Sequence, residues 1–175
     1  PSGWAVSEKV DYLLVRAQLN EFEFKHRVLR PWARDPGVYV SAVQRVAFQE
    51  LPASGEELSE FESRLGAVPA FLDQARENLT EGAGVFSKTA LRDLQQPDGV
   101  GHGHPYREVP PEGTIGWYRD LIQRLDEHHP DLVSKAETAL EAIIGFRDWL
   151  ERSGLDAPAG IGRKHYNWYR ENVLY

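Results

Sequence analysis

The chain contains no cysteine and no methionine. Without cysteine there are no disulfides and no thiolate metal sites, and the redox compartment is left open. The lack of methionine extends to the start residue, so we expect a processed, trimmed or excised segment. No signal peptide is visible, although one removed upstream would leave no trace. Localisation is open on both counts. No apolar run approaches the roughly 20 residues of a membrane span. Positive charge is also in short supply. Twenty Lys and Arg face 27 Asp and Glu, a formal charge of -7, which argues against a partner whose phosphates must be neutralised. His-Glu-x-x-His, a glycine-rich phosphate loop and a Gly-x-Ser-x-Gly elbow are all missing. No segment alternates apolar and polar residues as a half-buried strand does.

What remains is helix. The 175 residues are 41% apolar and 27% charged, the proportions of one soluble globular domain with room for a core. Asp11 to Tyr39 organises the reading. Spaced at about 100° per residue, Val10, Leu14, Ala17, Phe24 and Val28 share one face. Tyr12, Val15, Leu19, Phe22, His26 and Leu29 share the nearly opposite one. Arg16, Glu23, Arg27 and Arg30 lie along a polar edge. Two apolar faces predict a central helix covered on both sides. Ser7 with Glu8 is its candidate cap, and Pro31 ends it.

Further helices follow in order. Asp35-Pro36 caps and opens the second. Ser54-Gly55 opens a third, in which Pro69 predicts a kink or a restart. Val68, Leu72, Ala75 and Leu79 continue a 4-3-4 stripe. Ser87 to Gln95 forms a short helix, and Thr114 to His128 another. Pro130 to Arg152 is a deeply packed helix that Gly154 terminates. Arg163 to Val173 is the last. The stretch 97–113 is rich in glycine and proline and reads as a loop. The expected fold is all-α: seven or eight helices in a bundle-like array, packed around a long N-terminal helix.

Several residues have chemistry to weigh. His102 and His104, with Glu108 nearby, form a weak candidate metal grip on the 97–113 loop; solvated histidines are the simpler reading. His128 and His129 sit at a helix end, where they interact with the helix dipole. Glu21 falls within the first apolar stripe. There it is either a perturbed acid facing a cleft or half of an ion pair with an arginine. Arg27, Arg30, Trp32, Arg34 and Asp35 form either an anion site or a clamp on the proline corner. The tail interleaves Tyr166, Trp168 and Tyr169 with Arg163, Lys164 and Arg170. This composition suits base stacking or an amphipathic packing helix, and the net charge opposes the first. No nucleophile with a base partner can be picked out.

The block Arg27-Val28-Leu29-Arg30-Pro31-Trp32-Ala33-Arg34-Asp35-Pro36 resembles the domain-of-unknown-function family 885 of bacterial proteins. Arg64-Leu65, Val68-Pro69-Ala70-Phe71-Leu72 and Ala75-Arg76-Glu77-Asn78-Leu79 follow the same order. So do Ala139, Leu140, Phe146 and Leu150, and then Ile161-Gly162-Arg163-Lys164-His165-Tyr166. The resemblance spans about Asp11 to Val173. It implies a mostly helical fold and a longer parent similar to zinc metallopeptidases, with a His-Glu-x-x-His motif in a later part that this chain lacks. Zinc is then the parent's cofactor, its missing C-terminal portion is a partner, and a peptide is the substrate class. In the parent, zinc would polarise a carbonyl and activate water.

No zinc ligand carries over. Tyr166 matches the tyrosine of a Gly-x-x-x-Tyr block, and the histidine-bearing loop departs from the family's helical hairpin. The resemblance therefore implies a helical wall of a substrate cleft, with Tyr166, Tyr169, Glu21 and Arg27 as lining candidates. The alternative is a stand-alone helical binding or scaffold module without catalytic activity.

Overall fold

The computed structural model describes residues 3–97 and 107–174 and is all-helical, as expected. Among the described residues there are eight α-helices. They are α1 (Val6–Phe24), α2 (Pro31–Arg34), α3 (Pro36–Ala47), α4 (Gly55–Asn78), α5 (Gly84–Gln95), α6 (Gly113–His128), α7 (Val133–Arg152) and α8 (Gly162–Tyr169). π-helical turns extend α1 over Lys25–Leu29 and α8 over Arg170–Leu174, and a 3-10 turn, Pro130–Leu132, leads into α7. No described helix is long and apolar enough to cross a membrane. The chain forms two compact units. Trp32–Ala157 is the larger; Pro1–Pro31 with Pro158–Tyr175 is the smaller.

In the larger unit, α4 and α7 form the main seam. Phe61, Leu65, Val68, Leu72 and Ala75 recur on α4 at 4-3-4-3 spacing, and all are buried. Ala136, Ala139, Ile143, Phe146 and Leu150 do the same on α7 at 3-4-3-4. Matching seams of this period let side chains interdigitate, and the α7 alanines let the backbones approach. Of the two outcomes expected at Pro69, a kink or a restart, the restart does not occur: α4 runs through it as one helix. Proline removes one backbone bond at a cost of about 3 kcal/mol. Keeping the stripe in register buries Phe61, Leu65, Val68 and Leu72, each worth roughly 1.5–3 kcal/mol.

Helix α6 adds Tyr118, Leu121 and Leu125, and α3 adds Val40, Val43 and Ala47. The buried Tyr118 hydroxyl donates to the Val43 carbonyl at 3.0 Å, and burial pushes its ionisation well above the ordinary phenol range. Gly113 starts α6 at φ +63, with the Leu94–Gln95 backbone 2.6 Å from where a Cβ would stand; only glycine fits. An isolated parallel bridge, Ala83 to Ala157, ties the segment before α5 to the segment after α7.

Polar anchors close the same unit. Arg124 donates to the carbonyls of Ala47 (2.7 Å) and Gln49 (2.6 Å), the free end of α3. Asp120 accepts from Arg124 at 2.7 Å and from Arg107 at 2.9 Å. Asp35 accepts from the Gly37 amide at 2.8 Å and caps α3, with Pro36 in its first turn, as the sequence predicts. Gly154 takes φ +64 after α7, also as predicted.

Two expectations for α1 need correction. The cap is Ala5 rather than Ser7, although Glu8 does reach back, accepting from the Ala5 amide at 2.7 Å. Nor are both apolar faces covered. Phe24 is 3% exposed, but Val15 is 60%, Leu19 65% and Phe22 64%; Val10, Tyr12 and Leu14 are exposed as well. Periodicity shows which faces gain from burial, not whether a described element supplies the cover.

Candidate functional site

The smaller unit is α1 and α8 with their π-helical turns. Phe24, the one buried residue of α1, is the pivot. Its ring stacks on Trp168 at 5.7 Å and 3°, and lies 4.9 Å from the tilted ring of Tyr169. One turn back, the Asn20 amide donates to the Asn172 carbonyl at 2.8 Å. The tail helix therefore packs through Trp168 and Tyr169 rather than splaying its aromatics as a stacking platform.

Beyond this contact a groove of about 610 Å³ opens, lined by Glu23, Phe24, Arg27, Val28, Lys164, His165, Asn167, Trp168 and Glu171. Both π-helical turns reach its rim: Arg27 and Val28 belong to the first, Glu171 to the second. A π turn widens the helix by one residue and re-aims its side chains, and such turns recur at functional sites. Arg30 ends the first one at φ +44, a left-handed conformation that costs a non-glycine residue energy. The volume suits a small ligand or one to two peptide residues.

The lining mixes apolar side chains, Phe24, Val28 and Trp168, with charged ones. Arg27 pairs with Glu23 at 2.9 Å, and Arg170 stands 3.9 Å from Glu171. The unit as a whole is basic. It holds eight of the chain's Lys and Arg and five of its Asp and Glu, a formal +3, while the larger unit holds twelve and twenty-two, a formal -10. The overall charge of -7 thus conceals a basic unit and a strongly acidic one.

The residues singled out from sequence are placed unevenly. Arg27 lines the groove. Tyr169 packs on Phe24, and Tyr166 is exposed; neither lines the groove. Glu21 is exposed on α1, so the burial that called for neutralisation or an arginine partner is absent. His102 and His104 lie outside the described residues. Rather than serving only a helix dipole, His129 accepts from the Ala53 amide at 3.2 Å.

Sequence reasoning placed Glu23, Lys164 and Trp168 on polar or aromatic edges without joining them, and it gave His165, Asn167 and Glu171 no site role. Spacing carries no signal for residues at opposite ends of a chain. Among the described residues no three His, Asp or Glu side chains are grouped so as to hold a metal ion. The groove sets acidic, basic and amide side chains beside the Phe24 and Trp168 rings. No family model, curated protein or solved structure matches the chain.

Proposed function

We propose that this chain is the non-catalytic helical portion of a hydrolase similar to the family 885 proteins, and that the α1–α8 groove forms one wall of its substrate cleft. One observation carries the reading. Helix α1 presents uncovered apolar side chains on two nearly opposite faces, Val10 and Leu14 on one and Val15, Leu19 and Phe22 on the other. Patches of this kind mark surfaces built to be covered. A planar lipid surface covers one side of a helix; two opposite sides call for polypeptide. The missing portion of the same protein is the partner that the resemblance supplies. The groove beside this helix then borders the added polypeptide, and clefts between packed regions are where substrates bind.

The test is hydrolysis of a mixed peptide panel by the full-length gene product, with and without a chelator. The reading expects hydrolysis that the chelator abolishes. Chelator-insensitive cleavage, or no cleavage across the panel, overturns it.

A further inference from the structure

The groove of the smaller unit has its carboxylates answered and several of its donors free. Glu23 is held by Arg27 at 2.9 Å, and Glu171 lies 3.9 Å from Arg170. Lys164, His165 and the side-chain amide of Asn167 make no side-chain hydrogen bond or ion pair among the described residues. Lys164 lies in the first turn of α8 (Gly162–Tyr169), where free backbone amides add partial positive charge, and His165 and Asn167 follow it along the same helix. Beside them the stacked Phe24 and Trp168 rings form an apolar wall.

We propose that this groove binds the C-terminal end of a peptide whose last side chain is large and apolar. The terminal carboxylate pairs with the Lys164 ammonium, His165 and Asn167 offer further donors, and the last side chain lies against Trp168. The match is one of charge count. One free ammonium answers one carboxylate. A phosphate or nucleotide would bring a second negative charge towards Glu23 and Glu171. A neutral apolar ligand would leave the donors unused. The choice of a peptide over other apolar carboxylates rests on the hydrolase reading; the binding chemistry rests on the groove.

The experiment is an NMR titration of the full, isotope-labelled chain with three peptides: acetyl-Ala-Ala-Phe, the same peptide amidated, and acetyl-Ala-Asp-Phe amide. The third keeps a carboxylate but moves it to a side chain. The free acid should bind about fivefold more tightly than either amide, the scale of one well-placed but solvent-accessible ion pair. Shifts should centre on Lys164, His165 and Trp168. Lys164→Gln should bring the acid to the level of its amide and leave the amide unchanged; Lys164 is exposed, so the fold tolerates the change. Trp168→Ala should weaken all three peptides.

Equal binding of acid and amide, equal binding of the aspartate peptide, an acid preference that survives Lys164→Gln, or no groove shifts at millimolar peptide would each overturn the proposal. A full-length product without chelator-sensitive hydrolysis leaves this titration intact, and a failed titration leaves the hydrolysis result intact.

Discussion

The two units of this chain are built from the same kind of helix and treat their apolar residues in opposite ways. In Trp32–Ala157, every position of the α4 stripe and of the α7 stripe is buried. In the smaller unit, one side chain of α1 is buried while Val15, Leu19 and Phe22 stand in solvent. The larger unit holds itself together by packing. The smaller joins α1 to α8 through Phe24, packed on Trp168 and Tyr169, and through the Asn20 side-chain amide bonded to the Asn172 carbonyl. Equal hydrophobicity therefore does not mean equal contribution to stability, because a side chain stabilises a fold only by the surface it removes from water.

The sharpest way to break this contrast is to truncate one residue in each unit. Phe146→Ala, at the α4–α7 seam, should cost about 3–5 kcal/mol in urea unfolding, the range for a large side chain removed from a packed core. The next effect belongs to the polar anchors. Asp120→Ala leaves Arg107 and Arg124 half-buried without their shared carboxylate and should cost about 3 kcal/mol. Should it cost less than Asp35→Ala, the anchor is not structural. Removing the Asp35 cap from α3 is a smaller loss, about 1 kcal/mol by the same measurement. At the bottom of the scale, Leu19→Ser should change the stability of the chain by no more than about 0.5 kcal/mol. A loss of 2 kcal/mol or more at Leu19 would mean that this face is already covered, and the contrast between the units would fail.

The groove sharpens the comparison from the side of function. Its residues come from Glu23 to Val28 and from Lys164 to Glu171, so the two ends of the chain meet there. Helix identities and most boundaries were legible in the sequence. Asp35-Pro36 predicted the start of α3, Gly154 the stop of α7, and the 4-3-4 stripe from Val68 to Leu79 a buried face of α4 and the residue after it. The restart offered as one outcome at Pro69 does not occur, because a local rule weighs one backbone bond and not the four large side chains that tertiary packing sets against it. Glu21 misled because a place within an apolar stripe implies burial only where something covers the stripe. Arg27 was named from sequence and does line the groove, yet its neighbours Lys164 and His165 were invisible as a set.

By itself the sequence determined the class of fold, the helix boundaries set by proline, glycine and aspartate, and the faces that gain from leaving water. These follow from interactions within a turn or two of the backbone, which composition and spacing record. Only the tertiary structure decided which of those faces are covered, and it paired Phe24 with Trp168. It also divided a uniformly acidic-looking chain into a basic unit and an acidic one. Such outcomes depend on contacts between residues distant along the chain, and no local pattern encodes where a distant partner will stand.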